Sequence, residues 1–474
     1  MMLAASLDAI SERFRAAGKL ERVRSARAQG WLRKGIAQSF SLGIVLHIPA
    51  IAARALLATV NPIGRPSAGQ APIWILSKEG LVEDSLASID EAPWAAPYDF
   101  SRLCLKLLAE RMLPKFLDDN VYASPDPAVA AAKQRVREKW RQVLQALPRS
   151  RRPAAIVTSN FGYFVEREFA GACAAEGIPF VAIHKECFKA PGRLRFFATT
   201  YPRRGPFTGS RVLVYNNYER DLLVATGIVP ASVVTVTGMP RLDRIHAWRR
   251  THGMLPRPAR QVTLLAFAFT PTAGLPRIPR KERTGVSGGL DPLAPEFAGL
   301  AWESLFVQYH QAIVQMARDN PDLRVILKTK GRERDGRPAL DFIQSLAPPP
   351  NLETVVGGDL LPLLTVSDAV IGFNTTALCE AIAAGLPVVV PDFAEATARP
   401  TVEYVVDLGA AVFHAGSPQE LAELAVALAR DPAARWPNLD PAREAVLHLW
   451  MANADGQAGV RVSEAIRAEG AKTF

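Results

Sequence analysis

The chain has few residues that could build a disulfide frame or a protein-held metal site. Its 474 residues contain only four cysteines, Cys104, Cys173, Cys187 and Cys379, far apart and with no CxxC pair. That excludes a disulfide scaffold and a thiolate zinc site, and it fits a reducing, cytoplasmic compartment. The seven histidines are scattered without HExxH or similar spacing, so no metal site is expected from side chains alone. A divalent ion held by substrate phosphates would leave no such motif. The apolar stretch 35–60 is interrupted by His47, Pro49 and Arg54, whereas a bilayer span wants about 20 predominantly apolar residues. A compact charged start followed by a short apolar core, the mark of a signal peptide, is missing too. So are zinc fingers and RNA-binding aromatic motifs, and nucleic acid is not an expected partner.

Charge is present but uneven. The net charge is +10, and residues 1–70 carry ten basic side chains against three acids, so the remainder is nearly balanced. Residues 3–34 have the spacing of a basic amphipathic helix, with Leu3, Leu7, Ile10 and Phe14 on one face. A basic helix followed by an apolar one suits the surface of an anionic membrane, such as the inner face of the cytoplasmic membrane. It equally suits packing on the body of the protein. Pro, Gly and Ser then mark a linker from Asn61 to Pro72.

Hydrophobic residues make up 49% of the chain, enough for large cores, and at roughly 150 residues per domain the length predicts two to three domains. From Ala154 onward short apolar runs alternate with helical patterns. Strands are predicted at 73–76, 155–158, 180–183, 212–215, 233–236, 262–269, 324–327, 352–355, 369–372, 387–391 and 410–413. Such alternation implies parallel sheets covered on both faces, and ligands then bind beyond the carboxyl ends of strands. Two polar clusters fall at such ends in the first half: Ser159-Asn160 and His184-Lys185-Glu186. His184 has the chemistry of a general base, or it hydrogen-bonds a neighbouring loop.

The most informative stretch is Ser367–Phe393, SDAVIGFNTTALCEAIAAGLPVVVPDF. It reads as strand, polar turn, helix, glycine stop and strand. A helix start carrying Asn374, Thr375 and Thr376 suits a phosphate, and Glu380 is placed to accept from ribose hydroxyls. Lys328-Thr329-Lys330 ends an earlier strand. The long loop 270–295 carries Arg277, Arg280, Lys281 and Arg283 among glycines, a composition that suits an anion.

In this order, several segments resemble the GT-B glycosyltransferase superfamily. The nearest likeness is to bacterial surface and capsular polysaccharide enzymes: Kdo-transferase-like, CDP-glycerol glycerophosphotransferase-like and UDP-N-acetylglucosamine 2-epimerase-like proteins. Thr237–Asp243 is similar to their G-x-P-R-x-D segment, Ser367–Pro391 to their donor-site segment, and Asn453–Gly456 with Arg461-Val462 to the close of such chains. The resemblance covers about residues 150–465.

It implies an α/β, GT-B-like fold of two Rossmann-like parallel-sheet domains facing a cleft. A helical extension (1–70) precedes an acceptor domain (71–250) and a nucleotide-donor domain (261–440), and a C-terminal helical region (441–474) packs back on the first domain. It also implies that Asn374, Thr375, Thr376 and Lys328 hold donor phosphate, that Glu380 holds the ribose, and that Lys330 stands where relatives often carry a histidine. His184 and Glu186 are the positional candidates for the base. The expected activity is transfer from a nucleotide-activated sugar or polyol, a substrate rather than a bound cofactor, to a glycan or lipid-linked acceptor. The alternatives are a sugar-nucleotide epimerase and a non-catalytic sugar-nucleotide-binding partner in polysaccharide assembly.

Overall fold

A computed structural model describes residues 26–77, 83–90, 92–252, 261–277, 293–330, 333–436 and 438–471. The basic helix expected before residue 26 and the basic residues expected at 280–283 lie outside them.

Two sheets organise the described residues. The first contains β1 (Val60–Pro62), β2 (Ala71–Ser77), β3 (Ala95–Ser101), β4 (Ala155–Thr158), β5 (Phe180–His184), β6 (Arg211–Val214) and β7 (Val234–Val236), in the order β1-β3-β2-β4-β5-β6-β7. All neighbours are parallel except β1, which runs antiparallel to β3. The second contains β8 (Thr263–Phe267), β9 (Arg324–Thr329), β10 (Leu352–Val356), β11 (Ala369–Ile371), β12 (Val388–Pro391) and β13 (Phe413–Ala415), all parallel, in the order β10-β9-β8-β11-β12-β13. The central strands β4, β5, β8 and β11 are buried throughout. That is why they read as unbroken apolar runs rather than alternating ones. Two Rossmann-like domains facing a cleft, with helices at the N-terminal side, make this a GT-B-like α/β fold.

Two local expectations are corrected, and one strand carries no sequence expectation. The stretch taken as a linker from Asn61 begins inside β1, so the first sheet starts before residue 71. β3 carries Pro97 and Asp99 in its middle, which hid its strand pattern. The strand expected at 410–413 is displaced to Phe413–Ala415. Gly409–Ala411 form a 3-10 turn, with Gly409 in the left-handed region at φ 49°, and pairing with β12 starts only at Phe413.

The apolar segment near the N-terminus forms two helices, Ala26–Val45 and Pro49–Leu57. His47 has φ 55° at the break and Pro49 opens the second helix, a position proline favours. Phe40, Ile44, Ala52 and Leu56 are buried against the first domain, with the Phe40 and Trp140 rings 5.5 Å apart. Among the described residues, no helix is long and apolar enough to cross a membrane.

The C-terminal region divides instead of packing wholly on the first domain. Helix Pro441–Met451 stays with the second domain, against helix Ala377–Ala383. Helix Ala458–Ala471 crosses to the first, against Glu83–Asp90 and Leu242–His252. The reversal between them is made at Ala452, φ 41°.

Candidate functional site

Strand order locates the site before any side chain does. In the second sheet the chain leaves β8 in one direction and enters β11 on its other side, so the order reverses between these two strands. A crevice forms outside their carboxyl ends, which is where doubly wound sheets bind ligands. Gly372 ends β11, and the turn Phe373–Thr376 fills that position. Asn374 has φ 45° while Thr376 is in the right-handed region. A turn that passes from the left-handed region to a helix start leaves its amides outside the helix ladder, where they can receive an anion. Among the described residues, the amides of Asn374, Thr375 and Thr376 donate to no group of the chain.

The side chains of this turn divide in role. Asn374 Nδ2 donates to the Tyr404 carbonyl at 2.9 Å, and its Oδ1 accepts from the Val406 amide at 2.9 Å. The Asn374 side chain therefore fixes the turn rather than reaching out of it. Thr375 Oγ1 accepts from the Ala377 amide at 3.4 Å. Thr376 Oγ1 accepts from Arg241 Nη2 at 3.4 Å, and Arg241 belongs to the first domain.

Arg241 is the centre of a cross-domain cluster. Its Nε lies 3.3 Å from Glu380 Oε1 and 3.8 Å from Asp84 Oδ1. The Tyr215 hydroxyl donates to Asp84 Oδ2. Arg244, one helical turn on, is bound to Asp359 across the same gap, Nη1 to Oδ2 at 2.9 Å. Burial pushes the Glu380 pKa above the ordinary carboxylate value; Arg241 and Arg244 oppose that, while Asp84 and Asp359 add to it. Lys328, next to the end of β9, is almost buried and donates to the Gly357 carbonyl. Burial lowers its pKa, and Glu380 and Asp359 act in the opposite direction. Lys328, Thr376 and Glu380 thus belong to one charged neighbourhood. Lys330 lies exposed just past the end of β9. Asp84, Tyr215 and Arg241 carried no expected role in the sequence. The one available signal was position: Asp84 follows β2 and Tyr215 follows β6, both at carboxyl ends.

The expected base requires correction. His184 ends β5 but is fully buried, so no acceptor can reach it. Its Nε2 lies 3.1 Å from Glu219 Oε1, and its ring packs edge-on against Phe161 with centroids 4.7 Å apart. Glu219 also takes Lys189 and accepts from the Tyr201 hydroxyl at 2.8 Å. Burial lowers the His184 pKa, and Glu219 only partly offsets this, so the ring is neutral at physiological pH. Glu219 keeps its charge: burial raises its pKa, but Lys189 and His184 hold it at about 2. Glu186, two residues further on, remains open to solvent in a crevice walled by protein. Burial raises its pKa, and His184, Lys189, Arg204 and Arg193 more than reverse that, holding it below the usual carboxylate value.

The segments flanking the site hold the two domains together. Asp243 accepts from Asn453 Nδ2 at 2.6 Å and from the Gly459 amide at 2.6 Å. Arg461 Nε donates to the Thr237 carbonyl at 2.9 Å. At Gly238, φ 88°, a Cβ would come within 2.5 Å of the Ala452 carbonyl oxygen. The Thr237–Asp243 and Asn453–Arg461 segments are therefore two sides of one clasp, and only glycine fits their crossing.

No protein-family model matches the chain, and no curated protein matches it. Solved structures similar to it include the wall teichoic acid polymerase TagF, at 10% identity and TM-score 0.47, with 93% of this chain and 98% of that one covered. UDP-GlcNAc 2-epimerase from Neisseria meningitidis bound to UDP-GlcNAc is similar at 13% identity and TM-score 0.45, covering 84% and 99%. HepE from Anabaena in complex with UDP-glucose is similar at 14% identity and TM-score 0.44, covering 85% and 100%. Identities this low transfer no residue's role.

Proposed function

We propose that the protein is a transferase that moves a sugar or polyol-phosphate group from a nucleotide-activated donor to a glycan or lipid-linked acceptor of the cell envelope. The observation that carries this reading is the turn at the β8/β11 switch point. Three amides without internal partners stand there, with Glu380 and Lys328 beside them, facing the first domain. The amides would receive donor phosphate, and Lys328 would neutralise charge developing on the leaving group. Glu380 would exchange Arg241 for ribose hydroxyls as the donor enters. Glu186 is the exposed carboxylate left to take the acceptor's proton.

The test is turnover across UDP-, CDP- and CMP-linked donors, with and without acceptors. Lys328→Ala and Glu380→Gln should each reduce transfer about 100-fold, the order seen on removing one group that stabilises a transition state. Unchanged turnover in both variants would refute the assignment. A second reading, epimerisation of a sugar nucleotide, is favoured by the facing carboxylates Asp84 and Glu380. Conversion of UDP-N-acetylglucosamine without any acceptor would select it.

The reading includes a membrane surface as the working site. Leu42, Val45, Leu46 and Ile48 are 50%, 48%, 54% and 40% exposed, clustered where the two N-terminal helices meet, with Arg33 and Lys34 exposed on the first helix. An apolar tip with basic flanks matches an anionic bilayer. The protein should co-sediment with vesicles containing anionic lipid, and Leu42→Glu with Leu46→Glu should release it. A full-length chain that ignores such vesicles would remove the membrane from the proposal.

A further inference from the structure

A second basic feature lies apart from the donor turn. A cavity of about 200 Å³ opens between the domains, lined by Arg193, Arg203 and Arg204 of the first domain and Arg277 of the second, over the rings of Phe196 and Phe197. Among the described residues that line it, none is acidic. Four guanidinium groups around one cavity make its interior attractive to an anion.

The arginines are set in place rather than trailing in solvent. The Arg193 and Arg204 guanidiniums lie 5.3 Å and 5.7 Å from the centroid of the Phe197 ring. Arg204 is also 4.8 Å from the Tyr201 ring and donates from Nη2 to Asn120 Oδ1 at 3.1 Å. Stacking and a single hydrogen bond orient a guanidinium while leaving other N–H groups to give. The Nε atoms of both Arg193 and Arg204 are buried without a hydrogen-bond partner, so an anion in the cavity would meet the terminal Nη groups of the guanidiniums.

The second-domain wall links this cavity to the donor turn. It comes from Leu275 and Arg277, just after Gly274, where an added Cβ would sit 3.7 Å from Asn374 Nδ2. An ion held here would lie close to, but outside, the donor phosphate position. Glu186 feels both Arg193 and Arg204, so the exposed carboxylate belongs to the same neighbourhood.

We propose that this cavity is an oxyanion subsite for the acceptor, receiving a phosphate or carboxylate group on the guanidinium fork while Phe196 and Phe197 bear the carbon skeleton. That the ion belongs to the acceptor rests on the transferase reading; that the cavity binds an oxyanion does not. The enzyme would then extend an acidic glycan or a phosphodiester polymer, and neutral sugars would be poor acceptors.

The experiment uses the full-length protein with UDP present at saturation, titrated by calorimetry with sn-glycerol 3-phosphate, glucuronate, glycerol and glucose. One or both anions should bind and the neutral compounds should not; which anion binds identifies phosphate or carboxylate as the source. Arg193→Gln and Arg204→Gln should each weaken anion binding about tenfold or more, the order expected for one hydrogen bond to a charged group, and leave UDP binding unchanged. Arg277→Gln, at an exposed position, tests the same wall without risk to folding and should weaken it in the same direction. The proposal is overturned if neither anion binds, if binding survives the arginine substitutions, or if UDP competes with it. Anion binding without any nucleotide binding would overturn the transferase reading and leave the subsite standing.

Discussion

The carboxyl end of β5 and the turn after β11 both lie at the carboxyl end of a buried parallel strand, yet they use charge differently. At the end of β5, His184, Lys189, Tyr201 and Glu219 all come from the first domain and are sealed from solvent. At the turn after β11, Thr376 and Glu380 find Arg241 on the other domain. A group whose partners share its own domain is fixed for as long as that domain is folded. A group whose partner lies across the cleft is fixed only while the domains stay together, and a hinge motion of a few residues can release it. Chemistry at a strand end is therefore not enough to mark a catalytic group; the origin of its partners separates the two cases.

The comparison can be broken at either end. The largest effect is expected from Glu219→Ala, which leaves Lys189 charged and buried without its partner. Removing one member of a buried pair costs about 3–5 kcal/mol, and urea denaturation should show a loss of that size. A loss below about 1 kcal/mol would mean that the β5 cluster does not hold the first domain together. Arg241→Ala should cost less, about 1 kcal/mol, because burial raises the Glu380 pKa and so eases its protonation once the guanidinium is gone, and because Arg241 keeps some contact with solvent. Its signature should instead be a wider separation of the domains in solution scattering, reversed by a nucleotide that fills the turn. If Arg241→Ala destabilises the fold as much as Glu219→Ala, the cross-domain contact is a staple like the other and the contrast fails.

Much of the scaffold was legible from local pattern. Ala155–Thr158 and Phe180–Ile183 stand out because a strand buried on both faces has no polar alternation to blur it. β3 did not stand out, since Pro97 and Asp99 interrupt its run. The turn Asn374–Thr376 was legible as a turn because its polar residues separate an apolar strand from a glycine-stopped helix. His184 was misjudged for the opposite reason. Its sequence position at a strand end is the same whether the ring faces a cleft or a core, and the deciding partner, Glu219, lies on a helix 35 residues away.

By itself, the amino-acid order determined that two largely parallel sheets would form and where most of their strand ends would fall, because strand and helix periodicity is written in neighbouring residues. Only the tertiary structure decided what those ends face. It placed Arg241 against Glu380, closed Asp243 onto Asn453 across 210 positions of chain, buried His184, and gathered Arg193, Arg204 and Arg277 around one cavity. Such pairings depend on how two domains dock, and docking is set by the shapes of whole surfaces rather than by the spacing of residues along the chain.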